Sequence, residues 1–219
     1  MTKFIGALGL AASLLFSTTV SAQTTDGMRL RPMLGLGYAW GGDTITPVTV
    51  VPEGTSTEYE ETIKAGTGID LRAGLELAFP NTPFALQLAV AYQNDGVAGL
   101  DNKNINFRRV PFELIGYWRV APQLRIGFGA RKATHASLRL SQAYCTQIKE
   151  AISEPSMPCD YAYKSSLGAI VEAEYELTPG WALRARYVSE TFTPKDEDWM
   201  SDEKLRGDHF GILSVWYLR

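Results

Sequence analysis

The stretch Ile69–Gln93, IDLRAGLELAFPNTPFALQLAVAYQ, alternates almost without error and so constrains its own backbone. Ile69, Leu71, Ala73, Leu75, Leu77 and Phe79 fall on one face, while Asp70, Arg72, Gly74, Glu76 and Ala78 fall on the other. A period of two belongs to an extended strand. After PNTP the period resumes with Phe84, Leu86, Leu88, Val90 and Tyr92, so the two runs read as a hairpin. What remains open is which face meets water. A soluble sandwich or barrel buries the apolar face, and a membrane barrel turns it outward.

Eight such segments can be followed: Met28–Trp40, Lys64–Phe79, Phe84–Gln93, Asn104–Val120, Leu124–Leu138, Tyr161–Leu177, Trp181–Phe192 and Leu205–Arg219. In the sixth, Tyr161, Tyr163, Leu167, Ala169, Val171, Tyr175 and Leu177 read as one continuous apolar face. Three connections are short and rich in turn formers: Pro80–Pro83, Ala121–Gln123 and Thr178–Gly180. They alternate with longer ones: Gly41–Ile63, Asn94–Lys103, about Arg139–Asp160 and Thr193–Lys204. In an up-and-down barrel successive turns alternate between the two ends. This order therefore predicts one tight end and one loop-rich end, the asymmetry of outer-membrane barrels.

The second face of these segments is not that of a solvated sheet. It offers Arg29, Arg31, Met33, Gly35, Gly37 and Ala39, then Ala85, Gln87, Ala89, Ala91 and Gln93, then Arg125, Gly127, Gly129 and Arg131. Gly and Ala are poor strand formers, favoured where side chains crowd into a narrow lumen. Charges of both signs share that face. Arg72, Arg109, Arg125, Arg184 and Arg186 stand against Asp70, Glu76, Glu113, Glu172, Glu174 and Glu190. Enclosed in a barrel they must pair. They form either a structural polar plug or an ion or proton path, and the plug is the expectation because about eight strands leave room only for side chains. Trp40, Phe79, Phe84, Tyr92, Trp118, Trp181 and Tyr187 lie near segment ends, where aromatic girdles sit.

The N-terminus, MTKFIGALGLAASLLFSTTVSAQ, carries Lys3, an apolar run and Val20-Ser21-Ala22. This predicts a signal peptide over residues 1–22, cleaved after Ala22, and a barrel domain over 23–219. Export makes Cys145 and Cys159, the 2 cysteines, an expected disulfide. Without a nearby His they make a poor zinc site, and no metal or cofactor is expected. The composition, 21% charged with a formal net charge of -3, gives no support to a nucleic-acid binder.

The chain resembles the small bacterial outer-membrane β-barrels of the OmpA/OmpX/OmpW type. The resemblance covers about Met28–Arg219 and includes the phrases FRRVPFELIGYW and LRIGFGARKATHASL. It implies an all-β, eight-stranded antiparallel up-and-down transmembrane barrel in the outer membrane. The implied partners are membrane lipid, lipopolysaccharide and the outer-membrane assembly machinery, with a surface ligand reached through the loops and a monomeric state. Relatives commonly end on an aromatic residue, whereas this chain ends SVWYLR. Trp216/Leu218 and Val215/Tyr217 offer two competing alternations there, which leaves the facing of the last strand open.

Three functions follow. The first is a structural or surface-interaction role without enzymatic activity. The second is a hydrolase resembling the lipid A deacylases, which use a His-x-Ser pair on one strand. Here ATHASL supplies His135 and Ser137, with Glu150 downstream. Strict alternation puts His135 on the lumen face with Arg131, where such a pair could not meet lipid. Leu138 also stands where an Asn is usual, and His209 has no obvious partner. The third is a narrow channel for small apolar solutes, as the OmpW-like group suggests. The loop Gly41–Ile63 reads as a mobile polar loop or an exposed adhesive ribbon. The acidic loop with Asp196, Glu197, Asp198, Asp202 and Glu203 matches no calcium-binding spacing and reads as solvated.

Overall fold

The computed structural model describes residues 27–50, 59–97, 105–195 and 204–218. The predicted signal peptide and the acidic loop residues lie outside the described residues. In chain order the strands are β1 Arg29–Gly41, β2 Thr44–Val50, β3 Tyr59–Lys64, β4 Gly68–Ala78, β5 Phe84–Val97, β6 Ile105–Arg119, β7 Leu124–Leu140, β8 Asp160–Ser165, β9 Gly168–Thr178, β10 Trp181–Ser189, β11 Thr191–Pro194, β12 Leu205–Arg206 and β13 His209–Tyr217. Helix α1, Gln142–Ile152, lies between β7 and β8.

Eight of these close a barrel. β1 pairs with β4, and the ladder runs on through β5, β6, β7, β9 and β10 to β13, which pairs back onto β1. Every pairing in the ring is antiparallel. Closure satisfies the backbone groups within the ring and leaves no edge, which is the condition for strands to cross hydrocarbon.

The apolar face of the opening hairpin points outward. Leu71 and Leu88 are 47% and 56% exposed, whereas Asp70, Arg72 and Glu76 are buried. The same inversion holds for Leu34, Leu36, Phe112, Leu114, Phe128, Val171, Leu183 and Ile212, all exposed. Only a solvent of lipid tails makes that arrangement favourable. Phe79, Phe84, Trp118, Trp181 and Trp216 ring the tight end, and Tyr38, Trp40, Tyr92, Tyr187 and Phe210 ring the loop-rich end. The last strand takes one of its two alternations: Trp216 and Leu218 face out, while Val215 and Tyr217 face in.

Lumen glycines make room for large neighbours. A Cβ on Gly35 would meet Cγ of Arg72 at 2.6 Å, and one on Gly127 would meet Cε1 of Tyr117 at 2.6 Å. Small residues on the inner face therefore accommodate the arginines and tyrosines that fill it.

Beyond the extracellular belt the inside changes character. Ile63, Ile105, Phe107, Ala136, Leu138, Met157, Tyr161, Tyr163 and Phe192 form a buried apolar cluster like that of a soluble protein. Phe107 meets Tyr163 and Phe192 edge-on, each at 5.4 Å between ring centroids. Two corrections to the sequence reading arise here. β7 bulges at Thr134: Val110 of β6 pairs with His135, but Pro111 pairs with Ala133. Residues beyond the bulge change face, so His135 points outward and not into the lumen. On the adjacent strand Ser166 and Leu167 interrupt the sixth segment, so that Tyr161 and Tyr163 face in while Leu167 and Val171 face out. The apparently continuous face is two opposite faces.

Two loops also hold more structure than their composition announced. β2 and β3 form an antiparallel ribbon within Gly41–Ile63. Helix α1 sits in the Arg139–Asp160 connection, capped where the Ser141 hydroxyl accepts from the Tyr144 amide at 3.4 Å. Cys145, buried on α1, is disulfide-bonded to Cys159.

Candidate functional site

The lumen collects side chains from all eight barrel strands. On β4, Arg72 donates through Nη2 to Asp70 at 2.6 Å and through Nη1 to Glu113 of β6 at 2.9 Å. Glu113 also accepts from Arg186 of β10 at 2.9 Å and lies 3.3 Å from Arg131 of β7. Below them, Arg184 donates to Glu174 at 2.6 Å and to Gln87 at 3.0 Å. Arg125 bridges Glu174 and Glu76, the latter at 2.6 Å, while Arg31 holds the other oxygen of Glu76. Glu172 lies 3.2 Å from Arg186 and accepts from the Tyr117 hydroxyl. Glu190 lies 3.3 Å from Arg131.

Alternation puts the eleven charged residues named from the sequence on the inner face, where all are buried. One of them pairs differently. Arg109 donates to the carbonyls of Ala65 and Thr67, the latter at 2.6 Å, and so clasps the loop before β4 to the barrel wall. The sequence reading left Arg31, Arg131, Gln87 and Gln93 out of the network although it placed them on the same face. Gln93 joins Asp70 to Arg131, donating at 2.6 Å and accepting at 2.8 Å. Tyr117 and Tyr217 were not assigned to it either. Tyr117 shares parity with Arg109 and Glu113, a signal that was available. Tyr217, which donates to Glu174 at 2.9 Å, was hidden by the competing alternation of the last strand.

The His-x-Ser pair lies elsewhere. Past the Thr134 bulge both residues are on the outward face, and Ser137 Oγ and His135 Nε2 are 3.4 Å apart. Ser137 is buried at 2% exposure, and Glu150 stands exposed on α1. Among the described residues no carboxylate hydrogen-bonds the imidazole. The pair is thus half of a nucleophile–base–orienter arrangement. His209 is buried at the extracellular end of β13, its Nδ1 2.7 Å from the Gly207 carbonyl oxygen. Among the described residues no group of three or more His, Cys, Asp and Glu side chains forms a metal cage.

The model of the outer membrane protein beta-barrel domain family matches residues 8–212. The chain belongs to that family. Its place is therefore the bacterial outer membrane, with the short turns periplasmic and the long loops outside. Among curated proteins none matches it. Among solved structures it is similar to the attachment invasion locus protein Ail of Yersinia pestis, crystallised with the heparin analogue sucrose octasulfate. The identity is 14% and the TM-score 0.47, over 87% of this chain and 97% of that one. Neisserial surface protein A gives 11% and 0.44 over 88% and 97%. OmpT of Vibrio cholerae gives 13% and 0.28 over 89% and 53%. These values are too low to carry a function from any of them to this outer membrane beta-barrel protein.

Proposed function

We propose that this protein is a non-enzymatic, monomeric surface barrel whose lumen is sealed by its own side chains and whose extracellular crown is the interacting part. One observation carries the reading: the lumen charges are spent on one another. Glu113, with three guanidinium groups around it, has no capacity left for a passing ion. The apolar cluster of Phe107, Tyr163 and Phe192 lies over the same lumen on the extracellular side. The crown of β2, β3, α1 and the β8–β11–β12 extension would meet a surface ligand, while membrane lipid and lipopolysaccharide surround the wall and the assembly machinery inserts it. Planar-bilayer recording tests the seal. No conductance steps are expected from the reconstituted protein, and steps that survive purification would refute it. The absence of steps would end the reading as a channel for small apolar solutes.

A second reading, a lipid A hydrolase, is favoured by the outward His135–Ser137 contact. It lacks an orienting carboxylate among the described residues and an accessible Ser137. Lipid A that is identical in wild-type, Ser137→Ala and deletion strains would remove it.

A further inference from the structure

Near the periplasmic mouth the lumen network is built in rungs. On one rung Arg31 of β1 and Arg125 of β7 both hold Glu76 of β4, Arg31 at one carboxylate oxygen and Arg125 at the other, 2.6 Å away. β1 and β7 stand on opposite sides of the eight-strand ring, so one carboxylate ties two walls together. One rung nearer the periplasm the cations recur. Arg29 lies two residues below Arg31 on β1, and Arg119 of β6 stands directly opposite Arg125. The carboxylate does not recur. β4 places Ala78 opposite Arg29, where the rung above has Glu76 opposite Arg31, and β5 sets Ala85 beside Ala78.

These small side chains leave a cavity of about 460 Å³ at the mouth, beside the β4–β5 turn. Arg29, Arg31, Arg119 and Arg125 line it, and Glu76 is the one carboxylate among its described lining residues. Both oxygens of Glu76 are already held by Arg31 and Arg125. Arg29 and Arg119 are exposed and form no ion pair among the described residues. Arg119 donates to the Pro122 carbonyl at 3.2 Å, and Glu176 of β9, on its other side, is outside ion-pairing range. Like charges set opposite one another on neighbouring strands, as Arg119 and Arg125 are, repel. Tyr117 and the Glu76 rung close the inner end of the cavity toward the lumen.

We infer that this mouth binds a soluble periplasmic di- or tricarboxylate, one carboxylate of which takes between Arg29 and Arg119 the place that Glu76 takes between Arg31 and Arg125. Guanidinium forks match a planar carboxylate through charge-assisted hydrogen bonds. Two cations without a counter-charge match two negative charges, and the volume lies in the range of small-molecule sites. A membrane phospholipid fits less well. The four arginines lie on the inner face of the barrel, and the stacked Phe79 and Phe84, 5.5 Å between centroids, form the rim on the lipid side. Closed above and open below, the cavity holds a ligand and does not pass it on. It lies at the far end of the barrel from the crown and is independent of what the crown meets.

The test uses the refolded full barrel, isotope-labelled, in zwitterionic dodecylphosphocholine micelles. It is titrated with citrate, succinate, the uncharged analogue succinamide, inorganic phosphate and phosphatidylglycerol. Amide shifts confined to the β4–β5 turn and the adjoining ends of β1 and β6 are expected with citrate and, more weakly, with succinate. Succinamide is expected to give none. Arg29→Gln/Arg119→Gln is expected to lower citrate affinity about tenfold or more. Ala78→Glu builds a carboxylate into the lower rung and is expected to lower it as far, with heat-modifiable migration on gels retained. Ala78→Gln, of the same shape without the charge, is expected to lower it less. Should the double variant not fold, Arg119→Gln alone decides, with a smaller loss. Citrate shifts centred on the crown, equal binding by the double variant, or equal effects of Glu and Gln at position 78 would each overturn the site. Phosphate bound as tightly as citrate would overturn the carboxylate assignment, and the same shifts from phosphatidylglycerol would overturn the soluble ligand.

Discussion

Glu113 stands where three guanidinium groups converge, from β4, β7 and β10, and Glu113→Gln tests whether that convergence holds the barrel together. The amide keeps the shape and removes the charge. Arg72 keeps Asp70 and Arg186 keeps Glu172, but Arg131 is left with Glu190 at 3.3 Å and Gln93. Breaking a buried ion pair from one side costs about 3–5 kcal/mol where the remaining charge has no other partner, and this is the upper bound here because each guanidinium keeps a second carboxylate. With a urea dependence of about 2 kcal/mol/M the unfolding midpoint falls by up to about 1.5–2.5 M. The assay is reversible urea unfolding of the barrel in phospholipid vesicles, followed by tryptophan fluorescence and heat-modifiable migration. Arg139→Gln is the control, because its pair with Asp160 is 50% and 44% exposed at the side chains. Such a pair contributes about 0–1 kcal/mol. If Glu113→Gln moves the midpoint no further than Arg139→Gln, the lumen charges do not stabilise the fold as argued.

The outward wall gives a second expectation: Leu88→Arg, at a position 56% exposed to lipid, lowers stability by about 2–4 kcal/mol in the same vesicle assay. Gly127→Val forces a side chain against Tyr117 and is expected to cost about 1–3 kcal/mol, read as a lower urea midpoint. Thr134 is the extra residue, so deleting it leaves Ala133 and His135 adjacent, opposite Pro111 and Val110, with His135 still outward. A His135→Cys reporter, labelled by an impermeant maleimide on whole cells, is expected to stay reactive in the deletion, and loss of labelling in a folded barrel would refute the bulge. Reducing Cys145–Cys159 releases a constraint worth up to about 3 kcal/mol on the chain-entropy account. Its expected effect is faster proteolysis around α1 with the barrel's gel migration unchanged.

Within the bilayer the fold was legible because lipid imposes a single rule, apolar out and polar in, on a strict period of two. Leu71, Leu75 and Glu76 could be placed from their parity alone. Above the bilayer that rule reverses, since water is now outside and the interior must be apolar. Tyr161 and Tyr163 carry the same parity as Val171 and Tyr175, so nothing in the pattern marks the interruption at Ser166 and Leu167 that sends the two pairs to opposite faces. The bulge at Thr134 is similarly silent, because Ala133, His135 and Ala136 fit either phase. That one extra residue reversed the placement of His135, the residue on which the sequence argument about a hydrolase turned. In the lumen, parity supplied the members of the network but not their partners. Asp70 pairs along its own strand, and Glu113 gathers arginines from three others, which depends on register and barrel stagger.

The lumen contacts also bear on how the barrel comes to exist. Arg184 on β10 reaches Gln87 on β5, Arg186 on β10 reaches Glu113 on β6, and Arg125 on β7 reaches both Glu76 on β4 and Tyr217 on β13. These partners lie across the lumen, on strands that are not neighbours in the ladder. A sheet still open in the membrane would leave Arg184, Arg186 and Arg125 only the carboxylates of the adjacent β9, Glu174 and Glu172. The contacts across the lumen, to Glu113 and Glu76 among them, form only when β13 meets β1, so the last seam to close also completes the surroundings of these buried charges. Closure and charge pairing are thus one step, which argues that this barrel is delivered to the bilayer curled and nearly shut.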